Sequence, residues 1–229
     1  MSNLLSNIHL EIGDIIGGIA AAIFYGRFYL QWYSSERLGR SVVPVGFWYM
    51  SCIGSLMLFC YGVYIHSAVG TLSHCFNIFI YVRNLIHVWR AHGTLSRARS
   101  WAVHGLALGV MLVATVLLLR TWGQVFSHSK SGSDSEAVRT WLWIGMGVVG
   151  QGLFAGRFLV QWITSERKKE SVIPVAFWYL SIAASVLMLA SFIQLGEWIF
   201  GLGMLLTLPV YARNLWMIQR KKQSFSESA

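Results

Sequence analysis

The sequence predicts an all-α integral membrane protein with seven transmembrane helices, built as two parallel three-helix repeats joined by a linker helix (3+1+3). Three observations predict it. Of the 229 residues, 55% are apolar and 12% are charged, about half the charged share of a soluble domain. Seven apolar runs are long enough for a helix to cross the hydrocarbon core of a bilayer. The first three runs recur as the last three at a constant offset of 130 residues, the mark of an internal duplication. The composition excludes a disordered chain, a disulfide-built secreted module and an ordinary soluble enzyme.

The runs are 12–33, 44–66, 69–89, 101–122, 138–163, 174–195 and 199–218. The first follows a segment with no basic stretch and no small-residue cleavage site, so no cleaved signal peptide is expected. Its glycines (Gly13, Gly17, Gly18), like Gly147, Gly150 and Gly152 of the fifth run, are read as positions of close helix approach. The second and sixth runs open on Pro44 and Pro174, where a first-turn proline costs no hydrogen bond. The third is the most polar, with Ser73, His74, Asn77, Arg83, Asn84 and His87. A span so polar must hide these groups from lipid, so it is expected to line an interior. The fourth is the linker. In the seventh, Pro209 removes a backbone hydrogen bond and is expected to kink the helix, whereas Phe79 holds the matching place in the third.

The duplication is explicit. GRFYLQWYSSER (26–37) recurs as GRFLVQWITSER (156–167), SVVPVGFWYMS (41–51) as SVIPVAFWYLS (171–181), and Tyr81, Arg83, Asn84 and Leu85 as Tyr211, Arg213, Asn214 and Leu215. The repeats therefore cover 12–90 and 138–220, with the linker helix at 101–122. Three spans per repeat would invert the second copy; the linker restores the orientation and makes the copies parallel. The loops on the side that follows the first span hold 11 Lys and Arg, the opposite side three. The positive-inside rule then places the N-terminus outside and the C-terminus in the cytoplasm. Trp122, Trp141, Trp143 and Trp198 fall at the outer ends and Trp32, Trp48, Trp89 and Trp162 near the inner ends, as interfacial belts do. The net charge of +9 reports topology and attraction to anionic lipid in such a protein, not nucleic-acid binding.

Four arginines remain inside the spans: Arg27, Arg83, Arg157 and Arg213, one symmetric pair from each repeat. Each lies some two turns from its cytoplasmic end, about 10 Å below the interface, so one layer is expected. At that depth an arginine costs about 2.5–3.5 kcal/mol even on lenient insertion scales. No Asp or Glu lies at that level. Surplus fixed positive charge suits an anionic ligand, and the planar guanidinium fork matches phosphate. Gln31 and Ser34 share a helix face with Arg27, and Gln161 and Thr164 with Arg157. Asn84 and Asn214 follow the other two arginines, and Tyr81, Tyr211, Trp48 and Trp178 supply aromatic walls. These residues form the candidate site for a phosphate or sugar hydroxyls. A second reading stays open: Glu36 folds onto Arg83 and Glu166 onto Arg213 as fixed pairs, while Arg27 and Arg157 snorkel to headgroups.

Other features are read as structural. Cys52, Cys60 and Cys75 have no zinc-type spacing and are expected to be buried, inert thiols. His66, His74 and His87 show no metal-ligand spacing. No Gly-rich phosphate loop, GxSxG or paired carboxylate occurs. The chain is read as non-enzymatic, with no cofactor and no metal.

The duplicated blocks, GRFxxQWxxSERxxxSxxPxxFWYxS followed by YxRNL, resemble the lipid-A-disaccharide synthase N-terminal domain family over about 12–90 and 142–220. The resemblance implies a bacterial inner-membrane protein of lipid A or envelope glycolipid biosynthesis, placed near the PQ-loop and SWEET-type proteins. A SWEET-like layout implies a transporter with a path between the repeats. SWEET proteins carry prolines in spans 1, 2, 5 and 6; here spans 1 and 5 carry glycines, and neither Pro44 nor Pro174 precedes Gln. The implied function is a transporter or flippase for a phosphate-bearing lipid-linked sugar or lipid A precursor. The alternatives are a lipid-binding accessory of a glycosyltransferase and a small-sugar carrier. The implied partners are an anionic lipid or lipid-linked sugar phosphate, the membrane and a glycosyltransferase.

Overall fold

The computed structural model describes residues 12–38, 43–129, 134–168 and 174–227. Every element among them is an α-helix: α1 (Ile12–Leu38), α2 (Val45–Tyr64), α3 (Ala68–Cys75), α4 (Asn77–Ala91), α5 (Arg97–Ser129), α6 (Asp134–Lys168), α7 (Val175–Gln194) and α8 (Trp198–Glu227). Readings placed on Glu11, Arg40, Ser41, Lys130, Lys169, Glu170 and Ser171, and on the side chains of Phe79, His87, Trp162 and Glu166, lie outside the described residues. Four stretches are long and apolar enough to cross a membrane: Val45–Tyr64, Arg97–His128, Ser135–Gln161 and Val175–Gln194. They coincide with the second, fourth, fifth and sixth expected spans.

The expected third span is two helices, α3 and α4, separated at Phe76. Two side-chain bonds flank the break. Asn77 Nδ2 donates to the Ser73 carbonyl at 2.7 Å, and Ser73 Oγ donates to the Val69 carbonyl at 2.8 Å. Both compete with the i→i−4 backbone ladder. Its counterpart α8 runs unbroken through Pro209. The interruption therefore falls in the repeat that lacks the proline.

The chain forms two compact units, Met1–Phe126 and Ser127–Ala229. In the first, α2 packs against α1, α3 and α4. Phe59, Cys75, Ala114 and Leu118 make a buried cluster that fastens α5 to α2 and α3, and the Trp122 indole donates to the Ala68 carbonyl at 3.1 Å. Elsewhere α5 exposes Leu106, Leu112, Val113 and Leu119, an apolar surface suited to lipid. Of the three free thiols only Cys75 is buried; Cys60 is exposed, contrary to expectation, on the outer side of α2. In the second unit α7 packs against both α6 and α8, and Ser191 Oγ donates to the Trp143 carbonyl at 2.8 Å.

The two units share their local devices. Pro44 and Pro174 cap α2 and α7 in extended conformation, with ψ of 153° and 155°. Their carbonyls accept from Phe47 and Phe177 at 3.0 Å. The turns after α2 and α7 carry matching bonds, Ser67 N–H to Gly62 O and Glu197 N–H to Phe192 O, both 2.8 Å. Both turns need a left-handed residue: Gly196 takes φ 75°, but its counterpart His66 takes φ 55° despite its Cβ.

Close approach rests on fewer glycines than expected. A Cβ on Gly54 would stand 2.7 Å from the Phe24 backbone, and one on Gly150 2.6 Å from Met188 Cγ. Gly13 lies equally tight against the Tyr64 ring. A Cβ on Gly18 or Gly152 would meet nothing within 4 Å, since both face outward.

Candidate functional site

The site starts from one residue of α1. Arg27 follows Phe24 by three positions, so that ring shares its helix face; Phe28 is its neighbour in the chain. Its carbon stands 3.7 Å from the Phe24 centroid, 4.9 Å from Phe28, 5.2 Å from Phe47 and 5.1 Å from Tyr81. Phe47 comes from the first turn of α2 and Tyr81 from α4, so three helices close the cage. In the second unit Arg157 meets Phe154 at 4.4 Å, Phe158 at 4.8 Å, Phe177 at 5.0 Å and Tyr211 at 5.6 Å. Every ring in one cage is the 130-residue counterpart of a ring in the other. Face-on aromatic rings attract a cation through their quadrupole, by about 2 kcal/mol when water is excluded. That offsets part of the desolvation of a buried guanidinium.

The cages differ in their hydrogen bonds. Arg157 Nη1 donates to Ser181 Oγ at 2.8 Å and to the Tyr211 hydroxyl at 3.3 Å. Arg27 is 7% exposed, and its Nε and Nη1 are buried with no hydrogen-bond partner among the described residues. The matching Ser51 gives its hydroxyl to the Phe47 carbonyl of its own helix at 2.5 Å. The Phe24 ring that receives Arg27 also makes edge contacts with Tyr25 (5.2 Å) and His74 (4.8 Å). His74 Nδ1 lies 3.4 Å from Ser55 Oγ.

The other candidate residues divide. Tyr81 and Tyr211 line the cages. Trp48 and Trp178 stand one ring further out, 6.4 Å from Tyr81 and 6.2 Å from Tyr211. Trp178 Nε1 is buried without a partner among the described residues. Asn84 and Asn214 donate to the Ile80 and Val210 carbonyls one turn back, at 2.8 and 2.7 Å. Gln31, Gln161 and Arg213 are half-buried, and Arg83 is exposed. Two positions past Tyr81 on an α-helix is about 200° around the axis, which turns Arg83 off the cage. The Glu36 carboxylate receives the Trp32 indole N–H at 3.0 Å.

The phenylalanines were not anticipated: Phe24, Phe28 and Phe47, and Phe154, Phe158 and Phe177. The signal for them was available, since all three recur at the repeat offset around the same arginine. A permanently charged guanidinium walled by rings, with donors unused, is suited to an oxyanion.

A family model described as Lipid A Biosynthesis N-terminal domain matches residues 16–86 and again 146–216. Both cages fall within these matches. Among relatives, the lipid-A-disaccharide synthase of Chlamydia muridarum (strain MoPn / Nigg) is 29% identical over 187 residues, covering 79% of this chain and 30% of that protein. The lipid-A-disaccharide synthase of Chlamydia felis (strain Fe/C-56) is 29% identical over 217 residues, covering 90% of this chain and 33% of the relative. The chain thus spans about a third of the length of the relatives it matches. No solved structure matches it.

Proposed function

The chain belongs to the Lipid A Biosynthesis N-terminal domain family, and from that premise we propose that it is an inner-membrane carrier for a phosphate-bearing amphiphile. Its cargo is a lipid-linked sugar or a lipid A precursor, passed between leaflets. The observation that carries this reading is Arg27, a buried cation whose Nε and Nη1 have no acceptor among the described residues. An uncompensated buried charge is expensive, and a phosphate oxygen supplies both the opposite charge and the missing acceptors. Arg27 is the headgroup contact and Arg157 its counterpart in the second repeat, with Tyr81, Tyr211, Trp48 and Trp178 as walls. Gln31, Gln161, Asn84, Asn214, Arg83 and Arg213 lie towards the sugar or the lipid headgroups.

In this reading the chain crosses the membrane seven times in the 3+1+3 order, N-terminus outside and C-terminus cytoplasmic, as the charge bias directs. The three spans outside the four apolar ones, 12–33, 69–89 and 199–218, carry Arg27, Arg83 and Arg213. Their polar load is what a cargo-facing helix requires.

One observation favours a second reading. Relatives named as synthases match this chain over only about a third of their length. A domain joined to such an enzyme serves equally well as an accessory that presents lipid to a glycosyltransferase.

The test is extraction of the protein in native lipid discs, with mass spectrometry of what copurifies. A phosphorylated glycolipid held by the wild type and lost from a folded Arg27→Ala/Arg157→Ala variant supports a ligand site. Bulk phospholipid alone in both overturns it. Leaflet exchange in reconstituted vesicles then separates carrier from accessory.

A further inference from the structure

We infer that the anion site lies in the first repeat alone: Arg27 is the ligand contact, and Arg157 is its structural counterpart. This rests on the ligand reading above and narrows it from two equivalent cages to one. Arg157 spends Nη1 on Ser181 and Tyr211 and leaves only Nε buried without a partner among the described residues. Arg27 is more than nine-tenths buried and carries unused donors on two of its three nitrogens. Ser51 and Ser181 both give their hydroxyl hydrogen to the carbonyl one turn back, but only Ser181 also accepts from the arginine.

A second, independent difference points the same way. Behind the Phe24 ring stand Tyr25 and His74, both buried. Their counterparts in the second repeat are Ala155 and Met204. The first cage therefore has polar groups in its outer layer where the second has a methyl and a thioether. A duplicated apolar core gains nothing from two added buried polar groups. A site that admits a phosphate gains hydrogen-bonding capacity. The ligand class is a phosphate oxyanion, carried on an amphiphile or free in solution.

The experiment is native mass spectrometry of the full chain released from detergent micelles, with dihexanoyl phosphatidic acid and inorganic phosphate as separate probes. The wild type should bind one phosphate group per chain. Arg27→Lys keeps the charge but loses the planar fork, and should weaken binding roughly tenfold or more. Arg157→Lys should leave binding within about threefold and lower the melting temperature more than Arg27→Lys does, because only Arg157 has hydrogen bonds to lose. The lysine variants preserve charge and length, so both are compared as folded proteins, and the melting curves verify this. Binding of phosphatidic acid alone identifies a lipid headgroup as the source; equal binding of inorganic phosphate identifies the free ion. Two bound groups per chain, or equal weakening by both variants, would overturn the single-repeat site while leaving the ligand reading standing. No binding of either probe would remove both.

Discussion

Arg157 donates through Nη1 to the Ser181 hydroxyl at 2.8 Å. Ser181 Oγ donates in turn to the Phe177 carbonyl at 2.6 Å, so a single hydroxyl joins the guanidinium of α6 to the backbone of α7. Ser51, its counterpart, makes only the backbone bond. The same residue type thus bridges two helices in one unit and serves one helix in the other.

Ser181→Ala should therefore cost about 1.5–3 kcal/mol, the worth of a hydrogen bond to a charged group, leaving Arg157 Nη1 with its longer bond to Tyr211 alone. Ser51→Ala should cost about 0.5–1 kcal/mol, the worth of an ordinary hydrogen bond. Thermal unfolding of both variants in one detergent gives the comparison. Equal losses would show that Arg27 also leans on Ser51.

Gly54→Ala should destabilise by about 1–3 kcal/mol, because its Cβ would press on the Phe24 backbone, which has no freedom to retreat. Gly150→Ala should cost about as much, since its Cβ would stand 2.6 Å from Cγ of the fully buried Met188 and 3.1 Å from the Ala184 carbonyl. Gly18→Ala, with nothing within 4 Å, should gain up to about 1 kcal/mol from helix propensity. Melting temperatures lowered by the first two changes and not by Gly18→Ala would verify the glycine assignments, and a Gly18→Ala as harmful as Gly54→Ala would refute them.

His66→Gly should stabilise the protein by about 0.5–1 kcal/mol. His66 holds a left-handed conformation at φ 55°, where an L side chain crowds its own carbonyl. The second repeat places Gly196 at this turn. The turn hydrogen bond from Ser67 to Gly62 is unaffected by the change. A drop in stability would assign the imidazole a contact of its own.

The seven-span topology predicts opposite reporter responses at the chain ends. A reporter active only outside the cytoplasm should work at the N-terminus and fail at the C-terminus, and a cytoplasmic reporter should do the reverse. Activity of one reporter at both ends would show an even number of crossings.

Most of the framework was legible because hydropathy and repetition act over long windows. The 130-residue offset marked Arg27 and Tyr81, and Arg157 and Tyr211, as matching candidates, and each pair lies together in one cage. The phenylalanines escaped because, in an apolar helix, a cage ring looks like any lipid-facing ring; only its distance from the guanidinium distinguishes it. Arg83 and Arg213 were grouped with the caged arginines because depth along the chain is readable. The angle around a helix matters as much, and it turns Arg83 outward. The break at Phe76 leaves no mark in the sequence that sets it apart: side chains that bond the carbonyl one turn back also stand in unbroken helix at Asn84 and Asn214.

That break has a mechanical consequence. Tyr81 rides on a 15-residue helix whose first residue is Asn77, whereas Tyr211 is embedded in a 30-residue helix that continues past it in both directions. A small pivot at Phe76 would swing the short arm and carry Tyr81 with it, leaving α3 in place. Moving Tyr211 by the same amount requires tilting a whole shaft along with everything packed on it. Duplication produced two copies of one bearing, and the chain has mounted the first on a jointed arm and the second on a rigid axle.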